Sequence, residues 1–141
     1  RGWPVAKRLA FLMAQIEDNT VPHGKLDISA NRDDRPAEPV SATEVPFSVT
    51  GKRVILVDEV IFTGRSVRAA LDALTKVGRP KSVQLAVLVD RGHRELPIQP
   101  DFCGLTLATE HDDHIEVRLT DYAEEDAVEL IPASDREALS S

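Results

Sequence analysis

The chain reads as an α/β protein, with a central, mostly parallel sheet flanked by helices. Two observations carry that reading. The apolar runs at 54–57 and 82–89 are long enough for strands and do not alternate with polar residues, as expected of strands covered on both faces. Between them Val67, Ala70, Leu71 and Leu74 recur at helical spacing, so strand, helix and strand follow one another.

The elements follow in order. After Arg1 and Gly2 a helix begins, with Val5, Leu9, Leu12, Met13 and Ile16 as its apolar stripe. A short strand is expected over 25–29. Residues 31–50 are polar and carry Pro36, Pro39 and Pro46, which predicts a long mobile loop of the kind that forms lids. The central strand and helix end near Gly78, Arg79 and Pro80; the second strand then leads into a charged loop over 91–100. Late strands are expected over 115–119 and 127–131. The reading is one domain over 1–131 and a tail over 132–141 with little to hold it.

Composition limits the function. The formal net charge of −7 disfavours broad binding to nucleic acid, which draws its affinity from neutralised phosphates. A local basic face is still compatible with that total. One cysteine, Cys103, excludes an internal disulfide and suits a reducing compartment. No Cys/His cluster has zinc spacing, no apolar run is long enough for a bilayer, and no signal peptide is visible at the start. The expectation is a cytoplasmic protein without a membrane partner.

The chemistry concentrates at 54–66, Val-Ile-Leu-Val-Asp-Glu-Val-Ile-Phe-Thr-Gly-Arg-Ser. Asp58 and Glu59 come at the C-terminal end of the strand, where ligands of such sheets bind. Ionised carboxylates accept hydrogen bonds from vicinal hydroxyls and favour positive charge developing nearby. Val60, Ile61 and Phe62 lead into Thr63, Gly64, Arg65 and Ser66, a turn that launches the next helix. Gly64 permits a tight turn, Ser66 is the expected helix cap, and the N–H groups of the helix start attract an anion. Acids beside a phosphate cradle suit a sugar phosphate. The plainer alternative is a strand-turn-helix with a surface acidic pair.

The stretch 57–66 resembles the phosphoribosyl-pyrophosphate motif of type I phosphoribosyltransferases. Gln-Leu-Ala-Val-Leu-Val-Asp-Arg-Gly-His-Arg-Glu-Leu-Pro-Ile over 84–98 resembles, more specifically, the bifunctional pyrimidine operon regulators with uracil phosphoribosyltransferase activity. Arg32, Asp33 and Asp34, and Val45, Pro46 and Phe47, match that family too, so the resemblance covers about 1–117. It implies the type I phosphoribosyltransferase fold with a flexible hood over about 31–50. It implies conversion of uracil and phosphoribosyl pyrophosphate (PRPP) to UMP and pyrophosphate, with Mg2+ carried mainly by the substrate and no direct protein ligand. It also implies UMP-responsive binding of a pyr mRNA leader and a homo-oligomer, a dimer or higher.

Residue by residue, the resemblance assigns the ribose hydroxyls to Asp58 and Glu59, and the 5′-phosphate to Thr63, Gly64, Arg65 and Ser66. Arg1 and Gly2 match the end of the pyrophosphate loop, which implies a helix and a strand upstream of this sequence. Arg32, Asp33 and Asp34 fall at the base of the hood. Phe102 and Cys103 match the base-binding segment, where a ring stacks on the base and backbone groups read its edge.

The chain departs from its relatives in places. The acid pair is usually Asp-Asp, whereas the second residue here is Glu59. Asn31 stands where an aromatic is common, and the hood is several residues shorter. Gln99 replaces a frequent arginine and Leu105 a lysine, at positions associated with RNA binding. With the acidic balance, these changes weaken the RNA role more than the enzyme role. Two rival readings follow: a phosphoribosyltransferase for another base, and an RNA-binding regulator with little catalysis.

Single residues have competing explanations. His93 is either an RNA-contact or proton-transfer residue, or a loop histidine bonded to a neighbour such as Glu95. His111 and His114, among Asp112 and Asp113, read as a solvated turn rather than metal ligands. Trp3 reads as a packing residue at the helix start, Cys103 as apolar filler valued for its backbone, and 121–126 as a solvated acidic turn.

Overall fold

The computed structural model describes residues 2–18, 21–26, 28, 45–120 and 125–134. Helix α1 runs Trp3–Glu17, with Pro4 in its first turn, where a missing N–H costs nothing. It ends at Asp18, whose backbone is left-handed (φ 56°) and whose N–H donates to the Ala14 carbonyl. Strand β1 is Arg53–Ile61, helix α2 Arg65–Val77 and strand β2 Ser82–Asp90. Strands β3 (Phe102–Thr106), β4 (His114–Arg118) and β5 (Ala127–Ile131) complete the order.

β1, β2 and β3 form a parallel sheet in that order, and β4 and β5 form an antiparallel pair. The register puts Ile61, Asp90 and Thr106 in one row across the sheet. The C-terminal ends of all three strands therefore share one edge. α2 covers β1 and β2 through a core of Ile61, Val67, Leu85 and Val87. A second core joins Val89 to Ile115, Val117 and Leu119, with Val5 of α1 against it. Arg8 of α1 also grips Asp126 with both guanidinium nitrogens, at 2.9 and 3.0 Å.

The structure corrects four expectations. β3 is a strand in a segment for which none was expected; its glycine and its short, exposed course gave no strand pattern. The strand expected over 25–29 is a single bridge residue, Lys25, among the described residues. Leu119 lies just past β4. In α1 the inward face is centred on buried Ala10, while Leu12 and Ile16, assigned to the buried stripe, are 54% and 84% exposed. A stripe drawn on apolar type alone cannot choose between two apolar faces of one helix.

Candidate active site

The turn between β1 and α2 is built on Gly64, whose φ of 94° is left-handed and disfavours any side chain. Gly64 itself is the N-cap of α2, and no side chain caps the helix. The expectation that Ser66 would cap fails because the helix has already begun at Arg65. Ser66 stands inside the first turn, and Thr63 Oγ1 accepts the Arg65 N–H at 3.3 Å. The remaining N–H groups of that turn have no partner within the helix and point along its positive end.

Asp58 and Glu59 separate at the strand. Successive strand residues face opposite sides. Asp58 lines a cleft of about 1020 Å³ between α1, β1 and α2 together with Gly2 and Ser66. Glu59 is 4% exposed and does not line it. The two carboxylates thus do not form a matched pair on one wall. Glu59 serves Asp58 through its backbone, whose N–H donates to Asp58 Oδ1 at 2.8 Å.

Gly2 is pressed onto the same strand. A Cβ there would lie 2.2 Å from the Val57 carbonyl oxygen and 3.0 Å from Asp58 Cα. The start of α1 therefore abuts the backbone that carries Asp58. Gly2, Asp58 and Ser66 gather where β1 nears its C-terminal end and both helices begin; the rest of the cleft is largely apolar, with Leu9, Val54, Leu56 and Ala70 among its walls.

Beyond β2, Arg91 is buried and holds the next turn by donating to the carbonyls of Glu110, His111 and Asp113. Its guanidinium lies 4.0 Å from the centre of the Phe62 ring, which also meets the rings of His93 and His111. Nothing in the local sequence marks this hub. His93 has a left-handed backbone (φ 69°) and donates through Nε2 to the Thr109 carbonyl at 2.6 Å, rather than bonding Glu95. Glu95 instead pairs with Arg65 at 2.8 Å. Among the described residues no group of three or more His, Cys, Asp and Glu could hold a metal ion. Trp3 packs at the start of α1 with Lys25 Nζ 4.7 Å from its ring centre.

Phe102 and Cys103 do not reach the cleft. Phe102 pairs with Ala86, in the row of Val57, and is 51% exposed. Cys103 is exposed and its thiol bonds the Leu105 carbonyl, so it is not apolar filler. Arg1, Arg32, Asp33 and Asp34 lie outside the described residues, as does most of the expected hood. Val45, Pro46 and Phe47 are described; Val49 after them is buried. No helix among the described residues is long and apolar enough to cross a membrane.

Comparison with known proteins gives the same picture. Residues 1–123 match the family described as the phosphoribosyl transferase domain. The chain is 52% identical over 139 residues to the bifunctional protein PyrR of Pelotomaculum thermopropionicum, covering 96% of this chain and 77% of that protein. It is 54% identical over 123 residues to the bifunctional protein PyrR of a Roseiflexus species, covering 84% and 67%. Among solved structures, a variant hypoxanthine phosphoribosyltransferase from Trypanosoma cruzi superposes with a TM-score of 0.51 at 18% identity, over 67% of this chain and 51% of that one, a likeness of fold.

Proposed function

Since this chain belongs to the phosphoribosyl transferase domain family, we propose that it transfers the phosphoribosyl group of PRPP to uracil, giving UMP and pyrophosphate. The observation that carries the reading is the meeting of Asp58 with the starts of two helices, at Gly2 and in the first turn of α2. Each helix start favours an anion, and the Asp58 carboxylate lining the same cleft favours ribose hydroxyls and positive charge. That order, anion, sugar, anion, is the order of groups in PRPP. Uracil as the base rests on the resemblance of 84–98 to the pyrimidine operon regulators, and the relatives named PyrR, at about half identity over most of the chain, support that family.

In this reading N1 of uracil forms a bond to C1′ as the bond from C1′ to the pyrophosphate oxygen breaks. The N1 proton leaves to solvent, and pyrophosphate departs with the bonding pair. Asp58 lowers the barrier by stabilising the oxocarbenium-like ribose. Its orientation is fixed by the Glu59 N–H. Thr63, Gly64, Arg65 and Ser66 hold the 5′-phosphate, and Gly2 lets the helix start approach the leaving group.

Magnesium suits this donor set. It keeps several waters and takes one or two carboxylates together with substrate phosphates, which fits a cleft with one carboxylate and no cluster of ligands among the described residues. It would be carried mainly by the substrate, with Asp58 the only carboxylate lining the cleft among the described residues, and its chemistry would be neutralisation of the departing charge.

The second activity that the sequence resemblance implies, regulation of pyrimidine genes through an mRNA leader, is the weaker half of the reading. Gln99 and Leu105 bring no positive charge at the positions the resemblance associates with RNA, and Gln99 is an acceptor for Arg94. The exposed apolar face of α1, with Phe11 and Ile16, supports a homo-oligomer.

UMP formation from labelled uracil and PRPP, with and without magnesium, tests the enzyme. Asp58→Asn is expected to lower kcat about 100-fold or more with the fold intact, the scale of losing one preorganised electrostatic group. Unchanged turnover in that variant refutes the role given to Asp58.

A further inference from the structure

A loop that binds phosphate through backbone N–H groups must turn its carbonyls away, because a carbonyl aimed at an anion repels it. The carbonyls at the entry to the phosphate turn are those of Phe62 and Thr63. Both accept hydrogen bonds from one segment, the charged stretch after β2. Arg94 Nη1 donates to the Phe62 carbonyl at 2.9 Å. The N–H groups of Glu95 and Leu96 donate to the Thr63 carbonyl at 2.9 and 3.2 Å.

Arg94 is itself held from several sides. It donates to Asp90 Oδ2 at 2.6 Å, to the Ile98 carbonyl at 2.8 Å and to Gln99 Oε1 at 2.9 Å, and its side chain is 16% exposed. Asp90 is the last residue of β2, so the sheet edge fixes the guanidinium and the guanidinium fixes the turn. Gln99 can serve because its amide oxygen accepts; an arginine there has only donors to offer Arg94. In sequence the segment has the composition of a charged surface loop. Its geometry is that of a back wall.

We propose that Arg94 is a positioning residue for the 5′-phosphate subsite, acting through the Phe62 carbonyl, with Gln99 as its neutral partner. The proposal rests on the PRPP reading above, and the experiment separates the two. UMP formation is measured for the unmutated protein, Arg94→Met, Arg94→Lys and Gln99→Arg, with melting curves to confirm folding. Arg94→Met is expected to raise the KM for PRPP about tenfold or more, the scale of one charge-assisted hydrogen bond, while the KM for uracil stays within about twofold. Arg94→Lys, which keeps one donor for Phe62, is expected to recover part of that loss. Gln99→Arg is expected to raise the PRPP KM about threefold, the scale of a half-exposed charge contact.

A purely structural role would impair both KM values or kcat together, and that pattern overturns the proposal. If Arg94→Met does not fold, Gln99→Arg decides, and an unchanged PRPP KM in it overturns the proposal. If the unmutated protein makes no UMP, the reading of the base has failed. The same variants are then titrated with ribose 5-phosphate by calorimetry. Weaker binding than the unmutated protein supports the proposal; equal binding, or no binding by any of them, overturns it.

Discussion

Gly2→Ala isolates the contact that brings the start of α1 against the catalytic strand. The backbone at Gly2 has φ −68° and ψ −10°, open to any residue, so the change carries no conformational penalty. What it adds is a methyl 2.2 Å from the Val57 carbonyl oxygen, about 0.8 Å inside the 3.0 Å that real Cβ atoms respect. The obstacle is backbone on a paired strand, which cannot rotate aside. The helix start must therefore retreat by about that distance. Overpacking of this kind costs about 1–3 kcal/mol. At this chain length each kcal/mol lowers Tm by about 4 °C. The effect on turnover should be larger than the stability loss alone would give, because a misplacement near 1 Å costs up to about 100-fold in rate. Melting curves and kcat/KM for PRPP are measured beside Gly51→Ala as a control. Gly51 has φ 74° and nothing within 4 Å of where a Cβ would stand, so its variant is strained but crowds nothing and lies in the turn before β1. Gly2→Ala should lose tens of fold in kcat/KM where Gly51→Ala loses almost none at a similar Tm. Equal activity in the two variants would refute the contact as a functional one.

The other expectations concern the turn and the hairpin clamp. Gly64→Ala places a side chain at φ 94° with only ordinary contacts, 3.6 Å from Leu96 and Ile98, so its cost is conformational, about 1–2 kcal/mol by urea denaturation. A neutral effect would mean the turn does not need its left-handed backbone. Asp126 is held down to about 2 by the hydrogen bond from Arg8 first and the Thr120 N–H next. Its folded value lies below the unfolded one near 3.8, so the stabilisation is complete above about pH 4 and is lost as pH falls toward 2. The difference in Tm between the unmutated protein and Asp126→Asn should therefore close across that window, and a constant difference would exclude the Arg8 clamp. Asp90 shifts the same way: burial pushes its carboxyl up, but the Arg94 hydrogen bond, the Gly92 N–H and the Arg94 charge outweigh burial, and its contribution also fades on acidification.

What the sequence disclosed depended on range. β1, α2 and β2 were legible because a buried strand and a one-faced helix write their pattern in consecutive residues, as in 54–57 and Val67 to Leu74. Asp58 and the Thr63–Gly64 turn followed from their place after that strand. β3 was not legible, since five exposed residues with a central glycine carry neither alternation nor an apolar run. The separation of Glu59 from Asp58 was available from strand periodicity alone, had the strand been extended past Val57 to its true end at Ile61. The cap at Ser66 failed for a local reason: with a left-handed glycine before the helix, the turn closes one residue earlier than a serine cap would require. Arg91 and Arg94 could not have been placed. Arg94 meets Phe62 across 32 residues and Arg91 reaches Asp113 across 22, and no local pattern encodes which carbonyl a long side chain will find.

Under the proposed function, these long-range ties bear on how an acidic protein would present a site for a polyanion. With a net charge of −7, the mean field of the chain opposes PRPP. On the proposed reading the attraction has to be local, and helix partial charges add to the side chains of Lys25, Lys52 and Arg53, which line the same cleft. Two helix starts, each worth about half an elementary charge, stand near one carboxylate. Partial charges of that size work only if every competing dipole is turned away, because one inward carbonyl cancels much of one helix start. In the proposal, Arg94, Glu95 and Leu96 do this by donating to the carbonyls of Phe62 and Thr63. On the proposed reading the stretch after β2 belongs to the phosphate site, and substitutions at Gln99 would reach that site through Arg94, to which its amide oxygen is hydrogen-bonded.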